Sequence, residues 1–315
     1  MRSAFHNAAF GSSLQTAAGE PAWSPDGTQL AYSATSESGH LGDVYVASVD
    51  GSSRVNLTAG GPRAAYGEPA WSRDGRRIAY VGALRSGYQD ALFSYFVAKV
   101  DGSAVTQVGT SPTVGTPSFS PDDRYLALDG FESVWVARTD GSGQREVAAA
   151  AGTPIFSPHV DRLAFLQATG ANGLDLFTAR PDGSARKRLT KARGWDIPLA
   201  WSRGGSYLLF DTDREAPTRP PAVYPMGDGT RQHRIGYGRE ADFSPGAARV
   251  VFAGQRGSLW VARLDGGGRR QLVSGVVHDP RWSPDGRWIA YTLTAGDSRI
   301  ELVRPDGSDR HVFVP

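Results

Sequence analysis

The sequence predicts an all-β chain, a seven-bladed β-propeller with four antiparallel strands per blade. Three observations predict it. A strand–turn–strand unit built on an aromatic anchor occurs seven times; a second strand pair closed by an Asp-Gly turn follows in most copies; and successive anchors lie 37 to 48 residues apart. A period of about 40–45 residues with four strands per unit marks a propeller, whose units bury their apolar faces only by stacking on one another.

The first unit shows why each element forms. Ala22 to Ser24 is a short extended run with a large aromatic, Trp23. Ser24-Pro25-Asp26-Gly27 is turn chemistry: Pro fixes φ, Asp bonds its own backbone, and Gly takes a left-handed conformation without steric cost. Leu30-Ala31-Tyr32 resumes an alternating strand with Leu30 and Tyr32 on one face. Asp43 to Val49 forms a third strand, Asp50-Gly51-Ser52 a hairpin turn, and Arg54 to Thr58 a fourth strand. The later anchors are Trp71, Phe119, Phe156, Trp201, Phe243 and Trp282, each followed by a Ser and by a second apolar run. As repeat positions, Trp23, Trp71, Trp201 and Trp282 are expected to pack between blades.

The pattern of Pro21-Ala22-Trp23-Ser24-Pro25-Asp26-Gly27 running into Leu30-Ala31-Tyr32, and then Asp50-Gly51-Ser52 and Leu57-Thr58, resembles the TolB-type, WD40-like β-propeller repeat. The resemblance covers roughly residues 20–315. It implies a propeller that binds a protein, as TolB-type propellers do in envelope complexes. True WD40 repeats fit less well, because the one Trp-Asp pair (Trp195-Asp196) and the one Gly-His pair (Gly39-His40) are out of repeat register. TolB itself has six blades, so none of its binding residues is carried over onto this chain.

Seven units use the 315 residues as one domain, residues 20–315, preceded by a segment 1–19 that is a candidate closure strand. The C-terminal run His311 to Val314 also reads as an outer strand of the last blade, and its local Asp306-Gly307 turn favours it for that place. Net charge is +2, which argues against a strongly electrostatic nucleic-acid binder. Lysine occurs only at 99, 187 and 191; Arg186-Lys187-Arg188 reads as a charged edge that blocks strand pairing. The absence of cysteine excludes disulfides, thiol catalysis and thiolate metal sites. No apolar run approaches transmembrane length. The N-terminus lacks the apolar core of a signal peptide, although a mature exported fragment would read the same way, so the compartment stays open.

Loop geometry divides the ring into two faces. The Ser-Pro-Asp-Gly and Asp-Gly turns share one and are alike. The other holds variable loops, including 33–42, 81–91, 211–221 and the blade connections 59–67 and 191–197, where binding is expected. Each inner strand starts on that variable face. Three residues before the anchors stand Glu20, Glu68, Thr116, Thr153, Pro198, Glu240 and Asp279, with Asp196 just before the fifth, Asp242 before Phe243 and His278 before Asp279.

Several readings follow from these carboxylates. Glu20, Glu68, Glu240 and Asp279 could hold a hard cation such as Ca²⁺. With Asp196 they could bind a cationic group of a peptide or small molecule. His278, Asp279 and Glu240 could perform acid–base chemistry. They could instead be solvated, pair with Arg239 and Arg281, or accept backbone N–H bonds at the strand starts. Tyr66, Tyr88, Trp195 and Tyr237 fall in the loops of the same face and could anchor a protein partner. No nucleophile elbow, phosphate-binding loop, dinucleotide fingerprint or His-Glu-x-x-His motif appears. The leading expectation is a non-catalytic binding propeller that engages a protein or peptide; the alternative is a lyase, cyclase or hydrolase with a site at the channel mouth.

Overall fold

A computed structural model describes residues 18–35, 42–59, 61, 64–83, 93–130, 132–170, 173–191, 194–215, 221–227 and 233–314. Among the described residues the regular structure is strand, apart from a 3₁₀ turn at Gln255–Gly257. Among the described residues the strands form seven successive antiparallel units, starting at Ala18, Ala65, Ser118, Ala151, Gly194, Gly236 and Val276. Six of these hold four strands. The fifth holds three (Gly194–Trp201, Tyr207–Thr212 and Ala222–Gly227), and Ile235 extends it by donating its N–H to the Val223 carbonyl at 2.9 Å.

The first strand of each unit lies innermost, because the first strands touch one another around the ring, including the seventh against the first. The second and third strands carry the core between blades, with Leu30, Tyr32, Ile78, Leu126, Leu163, Phe165, Leu208 and Ile289 fully buried. Removing such side chains from water is the main stabilising term of a stacked repeat.

The anchor aromatics tie neighbouring blades together. Trp71 Nε1 donates to the carbonyl of Ala22 at 2.9 Å, Trp201 Nε1 to Ile155 at 3.3 Å, and Trp23 Nε1 to Arg281 at 3.2 Å. Each acceptor is the residue just before the previous blade's anchor. Trp282 departs from the pattern, since its Nε1 turns to Gly286 of its own turn at 3.3 Å.

The turn face is closed by repeated local bonding. Ser24 Oγ donates to Asp26 Oδ1 at 2.6 Å, the Thr28 N–H meets the same oxygen at 3.0 Å, and Gly27 takes φ +74°. Ser72–Asp74, Ser120–Asp122 and Ser283–Asp285 repeat the 2.6 Å contact. In the third turn Asp123 replaces the glycine. It adopts φ +59°, and its carboxylate accepts the N–H groups of Arg73 and Asp74 in blade two at 2.8 and 3.0 Å.

Blade seven takes its outer strand from His311–Val314, which pairs with Asp297–Val303. Blades one and seven meet by packing: Phe313 lies edge-on to Tyr32 at 6.1 Å, and Leu30 packs with Ala290 and Leu302. Residues 1–17, and with them most of the candidate N-terminal closure strand, lie outside the described residues; Ala18 and Gly19 open the first inner strand.

Candidate functional site

The acidic positions before the anchors coincide with a bulge in the inner strand. Register slips by one residue between Gly19 and Ala22, Gly67 and Ala70, Gly152 and Ile155, and His278 and Arg281, and also beside Glu240. Glu20, Glu68, Thr153, Glu240 and Asp279 there adopt φ of 58, 55, 49, 49 and 49°. A left-handed residue bearing a Cβ costs about 1–2 kcal/mol, and a bulge re-aims the side chain it carries.

The re-aimed carboxylates reach forward to the next blade. Glu20 Oε2 accepts the N–H of Glu68 at 2.7 Å and the Ser33 hydroxyl of its own blade at 2.9 Å. Glu68 Oε2 accepts the Thr116 hydroxyl, and Glu240 Oε2 accepts the N–H of Asp279 at 2.9 Å. Asp129, on the second strand of blade three, accepts the N–H of Thr153 at 3.1 Å. Asp242 accepts the N–H of Trp282 at 2.8 Å. The carboxylates therefore act as braces between blades.

Their crowding shows in the protonation equilibria. Burial, the Glu20 charge and the Asp279 charge push Glu68 up to about 8. Burial and Glu240 push Asp279 up to about 7, against the pull of Arg281. Burial also raises Glu20. Glu240 is held low despite its burial, by hydrogen bonds from His278 and from the Asp279 N–H. His278 is raised by that same carboxylate, 3.6 Å from its Nδ1. The mutual influence places Glu20, Glu68, Glu240, Asp279, His278 and Arg281 in one electrostatic group at the variable end of the channel.

Other expected residues lie elsewhere. Asp196, on the inner strand of blade five, is 2% exposed and pairs with Arg214 at 2.7 Å. The aromatic face expected from Tyr66, Tyr88, Trp195 and Tyr237 needs correction. Tyr66 is buried against Tyr80 and Phe96 because Gly82 leaves room for its ring; a Cβ on Gly82 would stand 2.7 Å from it. Tyr237 is half-buried, with its hydroxyl bonded to Arg234 and Glu215. Trp195 is half-buried in the inner strand of blade five, and its N–H is held by Asp213. Tyr88 lies outside the described residues.

Two channel-side acids escaped the sequence reading. Asp129 and Asp211 stand one residue past the apolar triplet of the second strand, where blade one has Ser33 and blade seven Thr292. Burial pushes both up to about 7, and Asp211 also interacts with Arg239 and Glu240. Aligning the repeats one residue further would have found them.

A closed ring of antiparallel blades, with inner strands that converge on a polar channel mouth, defines a β-propeller. The chain belongs to the TolB beta propeller domain family, which matches residues 76–313. No curated protein sequence matches it. Among solved structures it is similar to an oligogalacturonate lyase in complex with manganese, at 14% identity and a TM-score of 0.71, covering 94% of this chain and 88% of that one. A putative TolB from Agrobacterium tumefaciens is similar at 19% identity and a TM-score of 0.57, over 70% of this chain and 87% of that one. The β-propeller domain of the trilobed protease from Pyrococcus furiosus is similar at 12% identity and a TM-score of 0.70, over 96% and 98%. At these identities the likeness establishes the fold.

The lyase's manganese raises the question of a metal here. Among the described residues no group of three or more His, Asp or Glu side chains is arranged to hold an ion. Of the expected ring, Glu20, Glu68 and Glu240 each turn one carboxylate oxygen onto the neighbouring blade. No helix among the described residues is long and apolar enough to cross a membrane.

Proposed function

We propose that the chain is a non-catalytic binding propeller that engages a protein or peptide partner through its variable-loop face. The observation that carries this reading is the use of the channel-mouth carboxylates. Glu20 and Glu240 are committed to N–H groups of the next blade, so they stiffen a surface rather than stand free to shuttle protons. A rigid acidic rim beside variable loops suits recognition, and membership in the TolB family supports a protein partner.

The three lysines test the reading, because they report different regions of the ring. Lys191 sits in a blade connection on the variable face, whereas Lys99 and Lys187 flank Asp-Gly turns on the other. Amine-reactive crosslinking in a lysate of the source organism should join a partner to Lys191 and spare Lys99. Crosslinks confined to Lys99 and Lys187 would overturn the assignment of the face.

An enzyme, a lyase, cyclase or hydrolase, is the second reading, and one observation favours it. Asp279 is pushed up to about 7 beside His278, so its carboxyl can exchange a proton near neutrality. Turnover of a candidate substrate that is abolished in His278→Ala would establish it.

A further inference from the structure

The brace between blades is complete at blade one and broken at blade seven. In blade one, Glu20 Oε2 joins the Ser33 hydroxyl and the Glu68 N–H. The equivalent residues at the next seam are Asp279, Thr292 and Glu20. Asp279 is one methylene shorter than Glu20. Among the described residues its carboxylate accepts no hydrogen bond. Thr292 is 4% exposed, and its Oγ1 has no partner.

This orphaned hydroxyl points at the seam. Thr292 lies across from His278 in the strand register, and a Cβ built on Gly19 would stand 3.6 Å from Oγ1. Burying a hydroxyl without a partner costs about 1–3 kcal/mol. The unbraced carboxylate and the unpaired hydroxyl thus both lie at the seam between blades seven and one, with the Glu20 and Glu240 charges acting on Asp279.

We propose that this seam seats a protonated primary amine of the partner, a lysine side chain or an N-terminal amine, with the Asp279 carboxylate and Thr292 Oγ1 as its acceptors. The inference rests on the binding reading above and gives the partner its chemistry. An ammonium is a compact charge with donors enough for a carboxylate and a hydroxyl together, whereas a planar guanidinium asks for a paired acceptor. Glu20 and Glu240 add negative potential from both sides.

The charged groups that face the seat are Glu20, Glu68, Glu240, Asp242, Asp279, His278 and Arg281, with Asp211 and Arg239 behind Glu240. Protonated His278 and Arg281 oppose a cationic guest. Raising the pH through about 7 ionises Asp279, so affinity should rise over that range.

Dansylcadaverine, which carries one free primary amine, and its N-acetyl derivative provide the test by fluorescence anisotropy on the whole chain. The amine should bind saturably and the acetylated form should not. Asp279→Asn should weaken binding at least about tenfold. Asp279→Glu is the sharper variant, because glutamate is native at the equivalent positions 20, 68 and 240. It should complete the brace to Thr292 and the Glu20 N–H, abolish amine binding and raise the unfolding midpoint.

The proposal falls if the amine shows no saturable binding, if the acetylated form binds equally, or if Asp279→Glu binds like the native chain. The Lys191 crosslink separates this failure from that of the binding reading. A partner captured alike by the native chain and Asp279→Glu leaves a binding propeller without this seat. Amine binding without a Lys191 partner leaves the seat and removes the face assignment.

Discussion

The Glu20 carboxylate accepts the backbone N–H of Glu68 at 2.7 Å, although the two residues are one whole blade apart in sequence. Both occupy the same bulge in successive inner strands, at φ 58 and 55°. Glu20 and, in the same way, Glu240 thus each join a strained backbone position to its counterpart in the next blade.

Glu20→Ala should lower stability by about 1–3 kcal/mol, because it strands the Glu68 N–H and the Ser33 hydroxyl. Glu20→Gly loses the same bonds and relieves the left-handed strain, so it should be the more stable of the two. Urea unfolding of both variants checks the order; an alanine variant equal to the native chain would show that the brace contributes nothing.

Stability should fall as pH rises from about 5 to about 8. The sign follows from Glu68: its ordinary value is 4.5 and its folded value about 8, so between them the native state holds a proton that the unfolded state has lost. Asp279, at about 7, acts in the same direction. Thermal midpoints across that range should flatten in Glu68→Gln, and an unchanged slope would count against the group.

Trp71→Phe keeps an aromatic ring and removes the bond to the Ala22 carbonyl. It should cost about 0.5–1.5 kcal/mol. Trp282→Phe breaks only a contact with its own turn, so its midpoint should fall less. Denaturant titration of the pair distinguishes a bond between blades from a bond within one.

Gly82→Ala should destabilise by about 1–3 kcal/mol through overpacking, since the new Cβ would meet the Tyr66 ring at 2.7 Å. A neutral result would return Tyr66 to the surface, where the sequence alone placed it.

Much of the fold was legible because turn chemistry repeats. Ser-Pro-Asp-Gly at residues 24–27 and 283–286 forms the same bonded turn, and Trp23, Trp71 and Trp201 occupy one register. The bulges were not legible, because glutamate, at positions 20, 68 and 240, carries no preference for positive φ. Tyr66 read as a loop aromatic because the space that receives it belongs to Gly82, on another strand. The partner of Asp196 was not legible either, because Arg214 stands 18 residues further on.

The meeting of blades seven and one has a consequence for chain connectivity. Trp23 bonds to Arg281 across that seam as Trp71 bonds to Ala22 across the next one, and the outer strand of blade seven comes from its own C-terminal run. That seam is held by the same indole-to-carbonyl bond as the junction of blades one and two, even though its carboxylate brace is missing. A circular permutant whose ends are moved to another blade connection should assemble the same ring.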